Sequence, residues 1–252
     1  MTNFSLEKRV VAITGASRGI GKAIAIECAK AGANISLGSR DRDACELVAR
    51  ECVKYGVKAE SLKLDVEILP SINSFIDQTI HYFGKIDVLV NNAGLTVVKP
   101  ASDITEEEFD KVTNINFKAP YFASVKAHSY MVKQANKGII INISSQVAHV
   151  GGPLRAAYSG AKGGLNSITQ SLAVEWANEG VRVVGVSPTF TNTDMIKEAS
   201  KNSKFRKNFE KIPLGRPAEP HEIASVVVFL ATDAGKFITG ETILVDGGFT
   251  SI

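Results

Sequence analysis

Val10-Val11-Ala12-Ile13-Thr14-Gly15-Ala16-Ser17-Arg18-Gly19-Ile20-Gly21 is the stretch on which the fold turns. Val10 to Ile13 is a short, apolar, β-branched run, the composition of a strand buried on both faces. Beyond it, Ile20, Ala23, Ile24, Cys28 and Ala31 recur at helical spacing, and Gly32 suits the helix end. Glycines between a strand and a helix let the backbone turn tightly and approach a pyrophosphate, which then sits on the helix N-terminus. The spacing here is Gly-x-x-x-Gly-x-Gly, not Gly-x-Gly-x-x-Gly. Gly15, Ser17, Arg18, Gly19, Ile20 and Gly21 are therefore the first candidates for holding a dinucleotide.

Ala33-Asn34-Ile35-Ser36-Leu37-Gly38 reads as the second strand. Its end should meet the adenosine ribose, where an acidic residue would bond a 2′-hydroxyl and arginine would suit a 2′-phosphate. The residues that follow are Ser39 and Arg40, and the glycine loop adds Arg18. Two guanidiniums and a hydroxyl favour a phosphate, so the sequence predicts NADP(H) rather than NAD(H). Asp41 is either a ribose ligand, if the strand ends later, or a helix N-cap. Arg40 is alternatively a solvated loop residue.

Strand-like runs recur at Val10–Ile13, Ile35–Leu37, Ser61–Leu64, Val88–Val90, Ile139–Ile143, Val181–Val186 and Thr242–Val245, with helical stretches between them. That alternation predicts an α/β fold, a doubly wound parallel sheet of seven strands with helices on both faces. No linker or low-complexity run divides residues 1–252, so one domain is expected. The net charge of +3 is small and dispersed, so no nucleic-acid partner is expected. The basic run Lys197 to Lys211 reads as a solvated helix in preference to a phosphate patch. No apolar run approaches membrane-spanning length and the start lacks an apolar signal region, so no membrane partner is expected. Cys28, Cys45 and Cys52 have no metal-ligand spacing, His81, His128, His149 and His221 form no cluster, and no metal is expected. A reducing cytoplasm fits these cysteines.

A second stretch carries chemistry. Ser145 is followed thirteen residues later by Tyr158, and four residues after that by Lys162. Tyr158 and Lys162 share one helix face. A phenol titrates near pH 10, and a neighbouring ammonium would lower that value. A tuned tyrosine beside a serine hydroxyl is a general acid/base with an anchor for a substrate oxygen.

Taken together, these motifs resemble the classical short-chain dehydrogenase/reductase family, from about Lys8 to Gly248. Thr14 to Gly21 is similar to that family's cofactor loop, and Asp65-Val66 to its adenine-contacting pair. Asn91-Asn92-Ala93-Gly94 matches its Asn-Asn-Ala-Gly signature, with Asn92, Ala93 and Gly94 beside the cofactor. Asn116 falls where the family carries a catalytic asparagine, with Asn114 as the competing position. Ser145, Tyr158 and Lys162 match the remaining catalytic positions. Pro188 to Thr193 resembles the segment in which Pro188 and Thr193 approach the nicotinamide. Three positions depart from the family pattern: Thr189 stands for a usual glycine, Val184 for a common asparagine and Ala119 for a frequent glycine.

The resemblance implies hydride transfer between nicotinamide and a carbonyl or secondary alcohol. Ser145 would bond the carbonyl oxygen, Tyr158 protonate it, Lys162 hold the ribose and depress the tyrosine pKa, and Asn116 support a proton relay. A small-molecule carbonyl or alcohol substrate and a homotetramer follow from the same resemblance. The ending Leu214-Gly215-Arg216-Pro217 through Gly248-Phe249 resembles 3-oxoacyl-acyl-carrier-protein reductases. Leu154 to Tyr158 and Glu175-Trp176-Ala177 would suit gluconate-5-dehydrogenase-like members, with Arg155 against a substrate carboxylate or simply exposed. A 3-oxoacyl-type ketoreductase leads. Sugar, polyol or sugar-acid dehydrogenases are the alternative, and a non-catalytic NADP(H)-sensing protein is the reading from another class. Residues 190–212, with Phe190, Met195, Ile196, Phe205 and Phe209, form a substrate lid or a helix packed on the body.

Overall fold

Every expected strand forms in the computed structural model, which describes residues 4–201 and 203–252, the side chains of Met195, Ala199, Lys204 and Phe205 excepted. The first half runs β1 (Val10–Thr14), α1 (Gly19–Lys30), β2 (Asn34–Ser39), α2 (Arg42–Val53), β3 (Ala59–Lys63), α3 (Leu69–Phe83) and β4 (Val88–Asn91). The second half runs α4 (Glu106–Thr113), α5 (Ala119–Met131), β5 (Ile139–Ile143), α6 (Ala156–Trp176), β6 (Arg182–Pro188), α7 (Asp194–Ala199), α8 (Ser203–Arg206), α9 (Pro220–Ala231) and β7 (Thr242–Val245).

The strands pair in parallel in the order β3-β2-β1-β4-β5-β6-β7. β1 and β4 are neighbours although five elements separate them in sequence. This is the topological switch point, and the crevice beyond the carboxyl ends of such strands is where α/β sheets bind ligands. One apolar core, including Ile13, Ile24, Leu37, Val90 and Val227, lies where α1, α2 and α9 cover the sheet. The other includes Phe75, Leu89, Ala123, Ile140 and Leu172, under α3, α5 and α6. Burial on both faces is why these strands read as continuous apolar runs.

Several strand boundaries differ from the hydrophobic runs. β3 runs Ala59–Lys63 where Ser61–Leu64 was expected, and β2 continues to Ser39, which pairs with Lys63. β6 begins at Arg182 and extends to Pro188. A ladder of backbone hydrogen bonds is indifferent to side-chain polarity, so apolar runs mark strand centres better than ends. Arg182 is tolerated there because its guanidinium donates to the carbonyls of Leu230, Gly235 and Ile238 at 2.8–3.1 Å. It thereby serves the end of α9.

One helical irregularity positions the site. Asn114–Lys118 forms a π-helical turn between α4 and α5. Pro120, in the first turn of α5, has no N–H to return to Asn116. The chain widens by one residue there, with Ala119 N–H donating to Asn114 C=O.

Candidate active site

The glycine loop is built for close backbone approach. Gly15 and Gly19 adopt φ of +68° and +58°, a region costly for residues with a Cβ. A Cβ at Gly21 would lie 2.3 Å from Gly15 O and 2.5 Å from Asn92 Nδ2, and one at Gly15 would lie 2.9 Å from Ala93 Cα. Asn92 explains the tightness: its side-chain amide donates to Thr14 O and Gly15 O, both at 3.0 Å. Thr14 Oγ1 in turn accepts from the N–H groups of Asn92 and Ala93. Sequence reasoning assigned Asn92 and Ala93 but passed over Thr14, whose signal was a hydroxyl at the end of an otherwise apolar strand.

The residues fit a dinucleotide. Arg18 precedes α1 in extended conformation with no side-chain cap, and the helix has no acidic residue in its first turn. Its N-terminal dipole and N–H groups are thus open to an anion. Ile20 packs against the core, so only its backbone is available there. Thr193 lies over this end: a Cβ on Gly19 would be 3.2 Å from Thr193 Cγ2. At the end of β2, Ser39 Oγ donates to Ser17 Oγ at 3.1 Å. Asp41 caps α2, accepting from Ala44 N–H at 2.9 Å, which decides between its two sequence readings. Arg40 is 68 % exposed and pairs at 3.5 Å with Glu67, a partner the sequence did not suggest. Asp65 accepts from Glu67 N–H at 3.0 Å, and Val66 packs against the core beside it.

Beyond β4 and β5 the expected catalytic side chains converge. Lys162, 3 % exposed on α6, donates from Nζ to Ile143 O at 2.7 Å. The same Nζ lies 5.8 Å from the Tyr158 ring centroid. Ser145 follows β5, and its hydroxyl is close enough to that of half-buried Tyr158 to favour the phenolate. Asn116 is fully buried, donates to Leu95 O and Val112 O at 2.7 and 2.8 Å, and accepts from Leu95 N–H at 3.3 Å. Gly94 spans the gap: a Cβ there would lie 3.1 Å from Asn116 Oδ1 and 3.9 Å from Lys162 Nζ. Asn116 rather than Asn114 therefore faces Lys162.

One expectation is corrected. The Tyr158 pKa is not depressed overall. Burial raises the phenol above its usual value, opposed by the Ser145 hydroxyl and the Arg155 charge. Burial also pushes Lys162 down to about 7, so near neutrality it is only partly an ammonium. Desolvation outweighs the i, i+4 pairing read from the sequence.

Two further features take their packing from the tertiary structure. His149 joins the end of β6 to α6: its Nε2 is 3.0 Å from Ser187 Oγ and 3.2 Å from Asn166 Nδ2. Asn166 in turn accepts from Ser144 Oγ at 2.6 Å. Phe190, at the mouth, meets Phe209 and Phe249 edge-on with centroids at 5.4 and 6.1 Å. Arg155 is half-buried over Phe190, its Cζ 5.8 Å from the ring centroid.

A glycine cradle at a switch point, together with a serine, a tyrosine and a lysine on one side of it, defines a nicotinamide-dependent oxidoreductase of doubly wound fold. The comparisons agree. A family model described as enoyl-(acyl carrier protein) reductase matches residues 15–250. The 3-oxoacyl-acyl-carrier-protein reductase of Thermotoga maritima is 35% identical over 96% of this chain and 98% of its own length. A short-chain type dehydrogenase/reductase from Mycobacterium marinum superposes with a TM-score of 0.95 at 32% identity, covering 99% of this chain and 98% of that one. A Beutenbergia cavernae protein, described as an NAD(P)-dependent gluconate 5-dehydrogenase and solved with NADP at low occupancy, gives 0.93 at 32% identity, covering 99% and 100%. The chain belongs to the classical short-chain dehydrogenase/reductase family and is an NAD(P)-dependent oxidoreductase. Among the described residues no helix is long and apolar enough to cross a membrane.

Proposed function

We propose that this enzyme is an NADP(H)-dependent ketoreductase, with a 3-oxoacyl thioester as its leading substrate class. The observation that carries the reaction is the convergence of Ser145, Tyr158, Lys162 and Asn116 beside Gly94, beyond β4 and β5. A bound nicotinamide dinucleotide would supply the hydride. Gly15, Ser17, Gly19, Ile20 and Gly21 hold its pyrophosphate by backbone, Asp65 and Val66 the adenine, and Asn92, Ala93, Gly94, Pro188 and Thr193 the nicotinamide side. Arg18, Ser39 and Arg40 face a 2′-phosphate, with Glu67 competing for Arg40.

Ser145 donates a hydrogen bond to the substrate carbonyl oxygen, and Tyr158 gives that oxygen its proton as negative charge develops. A phenol raised by burial is a weaker acid but is fully protonated at neutral pH, as donation requires. Lys162, brought to about 7, can both take and release a proton near neutrality, and so reprotonates the phenolate. Asn116 binds both backbone groups of Leu95 and fixes the loop that borders this path. The edge-on contact of Phe190 with Phe209 supports a lid formed from residues 190–212; residue 202 and the side chains of Met195 and Phe205 lie outside the described residues.

The first test is the initial rate of reduced-cofactor consumption with acetoacetyl-CoA, using NADPH and NADH in parallel. A kcat/KM at least about tenfold higher with NADPH is expected, the weight of a charge-assisted phosphate contact. Preference for NADH would mean that Glu67 neutralises Arg40. Turnover absent with both would overturn the thioester reading. The second reading, an oxo- or hydroxy-acid substrate, is favoured by Arg155 at the mouth and by likeness to the Beutenbergia protein. Exposed Phe109, Tyr121 and Val125 on α4 and α5 support a homotetramer, which a single-chain mass in light scattering would reject. Three free, buried cysteines support a reducing cytoplasm.

A further inference from the structure

Arg155 is a cation without an anion. Among the described residues no carboxylate lies within ion-pair distance of its guanidinium. It lies over the face of Phe190 and exerts a field on Tyr158. A half-buried guanidinium loses hydration, and stacking on a ring holds it in place without satisfying its hydrogen-bond donors. Lys99, the other cation of this rim, is already paired with Glu108.

The backbone is strained to hold Arg155 there. Leu154 has φ of +63°, one of two non-glycine residues in the left-handed region among the described residues. Its carbonyl accepts from Lys99 N–H at 3.0 Å, so the substrate-side loop after Gly94 clamps the turn. Strain of this kind persists where the surroundings over-determine it, and it clusters at ligand clamps. Leu154 is 48 % exposed, so burial of its own side chain does not account for the conformation. Arg155 is then the residue before α6, three positions from Tyr158. The first turn of α6 carries neither a side-chain cap nor an acidic residue that would compete for an anion.

We infer that Arg155 binds a free carboxylate on the substrate, so that the enzyme selects oxo acids and their hydroxy-acid products over neutral ketones. This rests on the proposed carbonyl reduction and takes its second reading, the acid substrate, in place of the thioester. Arginine offers a carboxylate two parallel N–H donors. Tyr158 and Ser145 hold the carbonyl oxygen, and Arg155 holds the other end of the molecule, which orients the carbonyl carbon.

The test measures kcat/KM with NADPH for levulinate and acetoacetate and for their methyl esters, in wild type, Arg155→Gln and Arg155→Lys. Wild type should prefer each acid by about 10- to 100-fold, the range for a hydrogen-bonded charge. Arg155→Gln should abolish that preference, lowering kcat/KM for each acid at least about tenfold more than for its ester, and Arg155→Lys should restore part of it. Equal use of acid and ester by wild type overturns the inference. So does an equal loss on both in Arg155→Gln, which would mean that Arg155 acts through Tyr158 or the fold. Acetoacetyl-CoA and acetoacetyl-N-acetylcysteamine form a third pair. Dependence on Arg155 for the first alone would assign Arg155 to a carrier phosphate and overturn the carboxylate. Turnover absent with every compound would refute the reaction itself. Arg155 is then decided by titrating levulinate into the NADPH-loaded protein and reading NADPH fluorescence. Saturable binding lost in Arg155→Gln sustains the inference, and its absence in wild type overturns it.

Discussion

Replacing Lys162 with methionine should make the protein more stable at neutral pH while destroying its activity. The lysine is 3 % exposed and its pKa falls from 10.5 to about 7 through burial. Below pH 7 both folded and unfolded chains hold the proton, and the folded chain carries the whole cost of a desolvated ammonium. Between 7 and 10.5 the unfolded chain binds more protons, so stability rises with pH across that window. At about 1.4 kcal/mol per tenfold in proton affinity, the cost is about 4–5 kcal/mol at pH 6 and about 2 at pH 9. Methionine conserves volume but removes the bond to Ile143 O, at about 1–3 kcal/mol. The variant should therefore gain about 1–4 kcal/mol at pH 6. Its advantage should shrink by about 2–3 kcal/mol on going to pH 9. Urea unfolding followed by circular dichroism, at one protomer concentration, measures both. A difference between variant and wild type that stays constant within about 0.5 kcal/mol from pH 6 to 9 would refute the reasoning, because Lys162 would then titrate as in the unfolded chain.

Tyr158→Phe should lower kcat by about 10²–10⁴-fold, the usual worth of a general acid, with NADPH affinity within about twofold; turnover within threefold of wild type rejects the assignment. Gly21→Ala places a Cβ 2.3 Å from Gly15 O. It should cost about 1–3 kcal/mol of stability and weaken NADPH binding about tenfold or more by fluorescence titration, whereas unchanged binding would mean that the loop does not hold the dinucleotide. Arg40→Leu should lower the NADPH/NADH ratio of kcat/KM. Glu67→Gln should raise it about two- to fivefold by freeing Arg40, the scale of an exposed ion pair. Movement of both ratios in the same direction would remove Arg40 from phosphate recognition.

The sheet was legible because its strands are buried on both faces, and burial requires the apolar runs from which Val10–Ile13 and Ile139–Ile143 were read. Glycine spacing was legible because tight turns and close backbone approach exclude side chains. The ends of β3 and β6 were not, since Glu60, Lys63 and Arg182 enter strands through backbone pairing or distant carbonyls. The π-helical turn at Asn114–Lys118 was equally hidden, although Pro120 carried its trace. Glu67 opposite Arg40, and His149 between Ser187 and Asn166, join residues 17 to 38 positions apart along the chain. No local pattern announces such pairs.

Residue types and spacings along the chain were enough to determine a doubly wound parallel sheet and to point to a dinucleotide loop and a serine–tyrosine–lysine chemistry, because each depends on local periodicity or on a chemical group that must be present. Tertiary structure alone decided which asparagine faces Lys162, what opposes Arg40, and how the site titrates. A pKa reflects everything packed around a group. Here burial raised the Tyr158 phenol and lowered Lys162, against the effect that the i, i+4 spacing of the two residues had promised. Likewise the strained turn at Leu154 set Arg155 over Phe190, which only the folded chain brings together.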